Sequence, residues 1–291
     1  MAHIRIISPS GAINPDYIDK ASERLRSWGF AVSEGVHARG EYDRFSGTDD
    51  ERLSDLVEAL SDPTVDYILC SRGGYGLQRI LPYINVEISK YLIGFSDITA
   101  LHQLCGLRGV PSLHGLMCKH IATLPEDSKA LQLFRRALSR EPLTYDILPH
   151  PQNRYGESEG ILIGGNLSVL YGLQGTPYSL NSVLDAHPEG CILFIEDIGE
   201  RHYHIDRMMR NLHMSGVLAR IKGLVVGQFT DCDADPLMRC SVYDTIYEAV
   251  ADYDYPVLFD FPAGHVDDNR PLWLNAPAQL QVTTHTAILR N

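Results

Sequence analysis

The strongest constraint on the fold is an alternation of short apolar strands with amphipathic helices through the first half of the chain. Residues 4–8, 67–70 and 91–95 are apolar runs typical of buried strands. Between them, residues 15–29 and 52–61 carry apolar side chains at helical spacing. Strands that alternate with helices predict a mostly parallel sheet with both faces covered, so we expect an α/β fold.

The second half of the chain has a different texture. Periodicity fades around residues 138–158, where Pro142, Pro149, Pro151 and Gly156 are typical of a connector. Beyond it, strand-like segments occupy 160–165, 190–195, 224–229, 257–259 and 279–289, and 207–217 is helical. Because 291 residues exceed a single typical core, we predict an N-terminal domain at 1–140, a linker at 141–158 and a C-terminal mixed α/β domain at 159–291.

Composition limits the classes of partner. The formal net charge of −12 argues against non-specific binding to nucleic acid. No window approaches the ~18 consecutive apolar residues of a membrane span, so we expect no membrane association. The first ten residues fit a β-strand better than a signal peptide, which leads us to expect a cytoplasmic protein.

The first candidate for chemistry is Ser96. An apolar strand ends at Gly94, Phe95 follows, and a helix begins directly after the serine. This is the pattern of a nucleophile elbow, in which a tight strand-to-helix turn exposes a serine hydroxyl beside a helix N-terminus. Ile98 replaces the second glycine of the usual G-x-S-x-G pattern. Ser96 could instead be the N-cap of the following helix, and this segment alone leaves both roles open.

A glycine-rich turn at residues 71–76 follows another strand. Such a turn lets the backbone approach a ligand and offers free N–H donors. One of its amides, together with the amide of Asp97, would complete an oxyanion hole. An ordinary tight turn explains the same residues.

Two acidic residues and a histidine follow strands in the second half. Glu196 and Asp197 come directly after an apolar run, and His265 lies in a loop flanked by proline and glycine. A carboxylate at a strand end can orient a histidine, and a loop histidine can act as a general base. The alternatives are that the two carboxylates cap the helix near residues 205–212 or pair with Arg201 or Arg207, and that His265 is a surface residue.

Metal ligation is a competing use of the histidines. His202 and His204 form an H-x-H pair, and His265 is close in sequence to Asp267 and Asp268, as a metallohydrolase would require. The chain has no H-E-x-x-H motif and no Cys/His ligand set. We therefore expect no metal site.

In this order, the motifs resemble the LD-carboxypeptidase family, the muramoyl-tetrapeptide carboxypeptidases. The resemblance covers nearly the whole chain and rests on the segments RGGYG at 72–76, IGFSD at 93–97, GGNL at 164–167, FIED at 194–197 and GH at 264–265. It implies an N-terminal flavodoxin-like domain with a parallel sheet, a C-terminal mixed α/β domain and an active site at their interface. A homodimer is also implied.

The resemblance implies a serine peptidase without a metal or other cofactor. Ser96 would be the nucleophile, His265 the general base and Glu196 the residue that orients the histidine. The amides of Asp97 and Gly74 would form the oxyanion hole. The reaction would be acyl transfer through the serine in two steps.

The implied substrate is a muropeptide tetrapeptide, from which the enzyme releases the terminal D-alanine during cell-wall recycling. Arg72, Gly73 and Tyr75 would contact it, with Arg72 a candidate for the terminal carboxylate, although a surface ion pair also accounts for that arginine. One alternative is a microcin C self-immunity protein, which resembles this chain in fold but cleaves an aminoacyl-nucleotide. Another is a non-catalytic two-domain binding protein for small molecules, in which the three triad side chains would lie apart.

Overall fold

The computed structural model describes residues 1–232, 235 and 237–291. Within them the strands are β1 (His3–Ile7), β2 (Ala31–Glu34), β3 (Tyr67–Cys70), β4 (Tyr91–Gly94), β5 (Ser112–His114), β6 (Thr144–Ile147), β7 (Gly156–Asn166), β8 (Cys191–Ile198), β9 (Ile221–Thr230), β10 (Val257–Leu258), β11 (Leu272–Leu274), β12 (Ala276–Val282) and β13 (Ala287–Arg290).

The α-helices of the same residues are α1 (Pro15–Ser27), α2 (Asp49–Ser61), α3 (Leu77–Ile80), α4 (Thr99–Leu107), α5 (Cys118–Thr123), α6 (Lys129–Leu138), α7 (Leu167–Gly172), α8 (Leu180–Ala186), α9 (His202–Met214), α10 (Val217–Arg220) and α11 (Val242–Ala249). Short 3₁₀ turns lie at Leu81–Tyr83 and Ser96–Ile98. Among the helices of the described residues, none combines the length and apolar character needed to cross a membrane.

The first sheet is mostly parallel. Its order in the described residues is β11-β5-β4-β3-β1-β2, and β11 is antiparallel to β5 while the other neighbours are parallel. The order β2-β1-β3-β4-β5 is that of a flavodoxin-like sheet, in which ligand sites gather at the carboxyl ends of the strands. Strand β3 is buried along its whole length, as coverage of both faces requires. The expected flavodoxin-like N-terminal sheet is confirmed.

The second sheet mixes strand directions. Its order in the described residues is β10-β9-β8-β7-β12-β13-β6, with β7 to β10 parallel and β12, β13 and β6 antiparallel. Strand β8 is buried from Cys191 to Asp197 because it is central and covered on both faces. The expected mixed α/β character of the second half is confirmed, and β8 delivers Glu196 to its carboxyl end.

Asn275 carries the chain from one sheet to the other. It alone separates β11, which pairs with β5 in the first sheet, from β12, which pairs with β7 in the second. Its φ of +58° turns the backbone. Its side-chain amide donates to the His102 carbonyl at 2.9 Å, and its N–H donates to the Leu162 carbonyl at 2.6 Å. The two sheets are therefore tied together at one residue.

Two expectations from the sequence need correction, and the segment 141–158, predicted as a linker, contains β6 and the start of β7. The run 279–289 is a hairpin of β12 and β13, closed where the Thr283 N–H donates to the Thr286 carbonyl at 2.9 Å. Helix α9 begins at His202, five residues before the predicted start. In each case pairing or packing with distant segments overrides weak local periodicity.

The division into domains stays a prediction in its details. Strand β11 belongs by sequence to the second half but joins the first sheet. Sheet membership therefore does not follow the boundaries at 140 and 159. The chain passes from β10 in the second sheet to β11 in the first. The loop that joins these strands therefore lies between the two sheets, at the carboxyl ends of β4 and β8.

We predict that Gly164→Ala destabilises the fold. Gly164 has φ of +125°, and a Cβ there would lie 2.0 Å from the Phe194 carbonyl oxygen on β8. The loss of unfolding free energy should be about 2–4 kcal/mol, since backbone strain and a backbone clash combine. Urea denaturation measures it.

Gly175→Ala is the matched control. Gly175 also has positive φ, +76°, but a Cβ there meets nothing within 4 Å. It should cost only about 1–2 kcal/mol, from the left-handed conformation alone. Equal losses in the two variants would contradict the proposed clash in the β7–β8 pair.

Candidate active site

Ser96 occupies a strained turn between β4 and α4. Phe95 is extended, and Ser96 has φ of +66°, a left-handed conformation that costs about 1–2 kcal/mol for a residue with a Cβ. In the described residues the Ser96 side chain makes no capping hydrogen bond, and Ile98 is the N-cap of α4. The N-cap alternative is therefore wrong, and the backbone has the strained strand-to-helix geometry of a nucleophile elbow.

Two glycines allow close backbone approach at this turn. A Cβ at Gly94 would lie 2.9 Å from Ile98 Cγ1, and a Cβ at Gly73 would lie 2.8 Å from Ser96 Cβ. Side chains do not sustain contacts this short, so glycine is needed at both positions. The Gly73 carbonyl accepts a hydrogen bond from the Gly11 N–H at 3.1 Å, which holds the glycine-rich turn against Ser96.

The two amides expected to form an oxyanion hole are available. Gly74 follows Gly73 with φ of +110°, and Asp97 follows Ser96. Neither backbone N–H donates a hydrogen bond to another group in the part of the chain that the structure describes. Both can therefore donate to a bound ligand.

The side chain of Asp97 links the Ser96 turn to α3. Its buried carboxylate accepts from the Ser10 hydroxyl at 2.7 Å and from the Leu77 N–H at 2.9 Å. Burial raises the pKa of Asp97, against the opposing effects of these two hydrogen bonds and the charge of Arg52. No local sequence pattern reveals these two partners of the Asp97 carboxylate, because Ser10 and Leu77 lie far from it along the chain.

Glu196 and His265 meet in a buried hydrogen bond. His265 Nδ1 donates to Glu196 Oε2 at 2.8 Å, which leaves Nε2 free to accept a proton. The Glu196 side chain is fully buried, and that of His265 is 16% exposed. Glu196 thus bonds a histidine rather than an arginine, and His265 is not a surface residue.

The loop that carries His265 is shaped around Glu196. Gly264 has φ of +135°, and a Cβ there would lie 3.0 Å from Glu196 Oε2. The Gly264 N–H donates to Asn269 Oδ1 at 2.9 Å, and Asn269 is fully buried. Asn269 therefore fixes the loop that carries His265. No local sequence pattern predicted this contact.

Charge around His265 favours its protonated form. Burial lowers the pKa of His265, but the hydrogen bond to Glu196 and the charges of Glu196 and Asp197 together outweigh it, so the net pKa lies above the ordinary 6.5. Burial and the neighbouring Glu196 charge raise the pKa of Asp197 to about 7. A histidine poised in this way suits general base catalysis near neutral pH.

Asp197 does cap a helix, although not the one expected from the sequence. It accepts from the Ser168 N–H at 2.8 Å in the first turn of α7 and from Asn166 Nδ2 at 2.9 Å. The expected helix was the one near Ile205, which belongs to α9. Asn166, in the GGNL segment, also caps α7 by accepting from the Val169 N–H at 3.2 Å.

Ser96 and His265 line the same cavity, which has a volume of about 630 Å³. The Phe95 ring lies 4.9 Å from the His265 ring, centroid to centroid. In the described residues no hydrogen bond joins the Ser96 hydroxyl to His265, and such bonds are commonly long before substrate binds. The wall also includes residues that no motif predicted, namely Ile13, Asn14, Tyr17, Met117, Lys119, His120 and Ile198.

The three expected substrate contacts are placed differently. Arg72 and Gly73 line the cavity, and Arg72 Nη1 donates to the Ala12 carbonyl at 2.7 Å rather than to a carboxylate. Tyr75 is not among the lining residues described. Its side chain is exposed and its ring packs 5.8 Å from that of Phe45. A substrate that reaches Tyr75 would have to extend beyond the cavity.

Three other histidines, His102, His202 and His204, have structural partners. Burial lowers the pKa of His102 to about 4, and its Nε2 donates to the Gly94 carbonyl at 3.0 Å, below the Ser96 turn. His202 bonds Thr245 and His204 bonds Glu200, so the H-x-H pair diverges. In the described residues, no three His, Cys, Asp or Glu side chains are grouped so as to hold a metal ion.

Comparison with known proteins identifies the class. Residues 4–115 match the model of the LD-carboxypeptidase N-terminal domain, and residues 159–280 match that of the LD-carboxypeptidase C-terminal domain. The murein tetrapeptide carboxypeptidase of Pseudomonas aeruginosa is 30% identical over 92% of this chain and 89% of that protein. The chain belongs to the LD-carboxypeptidase family, a family of serine carboxypeptidases.

Solved structures agree with this assignment. The muramoyltetrapeptide carboxypeptidase from Oxalobacter formigenes superposes with a TM-score of 0.88 at 28% identity, covering 99% of this chain and 98% of that one. The microcin C7 self-immunity protein MccF, in complex with aspartyl sulfamoyl adenosine, gives a TM-score of 0.84 at 21% identity, covering 100% and 96%. At 21% identity, the likeness to MccF shows a shared fold alone.

Strain at Ser96 can be measured without any assay of activity. Ser96→Gly and Ser96→Ala both remove the hydroxyl, but only Ala keeps the Cβ in the left-handed conformation. We expect the Gly variant to be more stable than the Ala variant by about 1 kcal/mol in urea denaturation. The same pair of substitutions at Ser139, where φ is −82°, should favour Ala. A Ser96→Gly variant less stable than Ser96→Ala would refute the strain.

Proposed function

We propose that this protein is a serine LD-carboxypeptidase that releases the terminal D-alanine of a murein tetrapeptide. In this proposal Ser96 is the nucleophile and His265 the general base. Glu196 orients the histidine and stabilises its protonated form. The observation that carries the proposal is the buried hydrogen bond, at 2.8 Å, by which Glu196 holds His265, a residue that lines the same cavity as the strained Ser96 turn.

The chemistry follows from the free ring nitrogen. His265 Nε2 accepts the Ser96 hydroxyl proton as the oxygen attacks the carbonyl before D-alanine. The imidazolium, stabilised by Glu196, then protonates the departing amine. Water deprotonated by the same nitrogen hydrolyses the acyl-enzyme, which restores Ser96.

The developing oxyanion needs donors that are already in place. The unpaired amides of Gly74 and Asp97 are the candidates, since they adjoin the Gly73–Ser96 contact. Fixed donors lose no reorganisation energy during the reaction, and removal of one such donor elsewhere costs about a hundred- to a thousandfold in rate. The Asp97 carboxylate supports this arrangement by holding α3 and the Ser96 turn together.

The substrate class rests on relatives that share the fold over their full length. A family member 30% identical to this chain carries the name murein tetrapeptide carboxypeptidase. An LD-carboxypeptidase cleaves between an L residue and a C-terminal D residue, so it must fix both stereocentres and a free carboxylate. Arg72 and Gly73 in the cavity wall are proposed contacts, and Tyr75 would reach only an extended part of the muropeptide.

The alternative substrate is an aminoacyl-nucleotide, as for a microcin C self-immunity protein. The likeness to that protein at 21% identity supports a common fold. The non-catalytic alternative required the three triad side chains to lie apart, whereas Glu196 bonds His265, and His265 and Ser96 line the same cavity. We therefore favour an enzyme and place the aminoacyl-nucleotide among the test substrates.

The proposal also includes a cytoplasmic location and a homodimer, as in the family that the sequence resembles. Cell fractionation with detection of the native protein tests the first. Light scattering coupled to size-exclusion chromatography tests the second, with a mass near 65 kDa expected from two chains of 32.5 kDa.

The proposed substrate predicts that one peptide is cleaved much faster than two related peptides. Purified protein should release alanine from a murein tetrapeptide, but poorly from the pentapeptide ending in D-Ala-D-Ala or from an all-L tetrapeptide. A misplacement of the carbonyl by about 1 Å can lower the reaction rate about a hundredfold.

Ser96→Ala should lower kcat by at least about a thousandfold with the fold intact.

Alanine is quantified by chromatography, and circular dichroism checks the fold of each variant. Similar rates on all three peptides would refute the specificity. Cleavage of an aminoacyl-nucleotide alone would move the assignment to the immunity-type function. Near-normal turnover by Ser96→Ala would refute the serine mechanism.

The pH dependence follows from the raised pKa of His265. Protonated His265 cannot accept the Ser96 proton, so kcat/KM should rise with pH through a midpoint above 6.5. Glu196→Gln removes the negative charge that raises this pKa and leaves only a neutral amide oxygen as hydrogen-bond acceptor. It should shift the midpoint downward and lower kcat about a thousandfold or more.

Glu141→Gln is the matched control, because Glu141 is an exposed carboxylate paired with Arg136. It should leave the profile unchanged. An unshifted midpoint in Glu196→Gln, measured across pH 5 to 9, would contradict the role of Glu196.

A further inference from the structure

The cavity that Ser96 and His265 share has the opposite charge to the whole chain. The chain has 37 Asp and Glu against 25 Lys and Arg. In the described residues, however, the cavity wall includes Arg72 and Lys119 and no Asp or Glu. Burial and the charge of Lys119 lower the pKa of His120, also in the wall, to about 4, so His120 is neutral at pH 7. Such a wall attracts an anionic ligand.

Arg72 belongs to the side of the cavity formed by the glycine-rich turn. Its guanidinium is held by the Ala12 carbonyl at 2.7 Å, and the next residue, Gly73, is packed against Ser96. Ile13 and Asn14, which follow Ala12, line the same side. Arg72 is therefore fixed by the N-terminal half of the first sheet and its loops.

Lys119 lies in α5 where the glycine-rich turn meets the side of the cavity that carries His265. The preceding residue, Cys118, donates its N–H to the Ser71 carbonyl at 3.1 Å. The ring of the following residue, His120, lies 5.4 Å from the Phe95 ring, which lies 4.9 Å from the His265 ring, and the charge of His265 contributes to the lowered pKa of His120. The Lys119 ammonium has no ion pair or hydrogen bond in the part of the chain that the structure describes. Its charge is therefore available to a ligand.

Acyl-transfer chemistry assigns the two ends of a substrate to these two sides. The amine that leaves takes its proton from the imidazolium, so it must face His265. In a terminal D-alanine the carboxylate carbon is two bonds from that nitrogen. The carboxylate must therefore lie beside His265, whereas the rest of the peptide, the acyl part, extends toward the glycine-rich turn.

We propose that Lys119 binds the terminal carboxylate of the substrate and that Arg72 contacts the acyl part. Lys119 is then the residue that makes the enzyme a carboxypeptidase, since a single unpaired cation beside the leaving group selects a free carboxylate one residue beyond the scissile bond. This inference rests on the proposed function and replaces the earlier expectation that Arg72 captures the carboxylate.

The test pairs a change in the protein with a change in the substrate. Wild type and Lys119→Met are each assayed on a murein tetrapeptide ending in free D-alanine and on the same peptide ending in D-alaninamide. Wild type should prefer the free acid by about ten- to a hundredfold in kcat/KM, as expected for a charge-assisted hydrogen bond. In Lys119→Met this ratio should fall to nearly one, mainly through KM on the free acid.

Three further variants serve as controls. Arg72→Met should slow both substrates and keep the ratio, and Lys119→Arg should keep most of it. Lys20→Met removes an exposed lysine on α1 and should change nothing. Because each ratio compares two substrates on one protein preparation, it does not depend on the fraction of folded protein.

The outcomes separate this inference from the proposed function. A ratio that persists in Lys119→Met, or that collapses in Arg72→Met instead, overturns the assignment to Lys119 while the carboxypeptidase function stands. Equal wild-type rates on acid and amide also overturn it. A wild-type protein that releases neither D-alanine from the free acid nor D-alaninamide from the amide overturns both the proposed function and the inference that rests on it.

Discussion

The hydrogen bond between Glu196 and His265 is the interaction on which the site depends. A carboxylate as deeply buried as Glu196 is strongly destabilising unless it is paired, and in the described residues His265 is the partner of Oε2 while Oε1 has none. Glu196 comes from the second sheet, and His265 lies in the loop that leads from β10 to β11 in the first sheet. The bond therefore fixes the loop between the sheets and directs the free ring nitrogen toward the cavity.

The other half of the site is held by backbone geometry rather than by charge. Ser96 keeps its left-handed conformation because Gly73 packs against it and the Asp97 carboxylate binds the first residue of α3. A conformation that costs free energy persists only where surrounding contacts determine it. Each sheet thus contributes one half of the site, and Asn275 ties the sheets together ten residues beyond His265.

Electrostatics separate the histidines near Ser96 by function. His102 and His120 are kept neutral because burial lowers the pKa of each to about 4. His265 is also buried, but its carboxylate partner raises its pKa above the ordinary value. Burial alone therefore lowers the pKa of a histidine, whereas burial beside the Glu196 carboxylate leaves the pKa raised. Proximity to Glu196 thus decides which histidine exchanges protons near neutral pH. The cavity beside that histidine has Arg72 and Lys119 and no Asp or Glu among its described lining residues, in a protein that is acidic overall.

Local patterns in the sequence were sufficient to predict part of the fold and several candidate site residues. Alternating apolar strands and helices predicted a mostly parallel sheet, and the family resemblance implied that it is flavodoxin-like. Strand ends followed by a serine, a glutamate and a histidine indicated Ser96, Glu196 and His265 as candidate site residues. Local patterns could not reveal β6, whose partner β13 lies 140 residues away, or the transfer of β11 to the first sheet. They also missed Lys119 and the side-chain contacts of Asp97 and Asn269. These depend on which segments meet in space, and side chains far apart in sequence come into contact only when long-range strand pairing and burial have positioned their backbones.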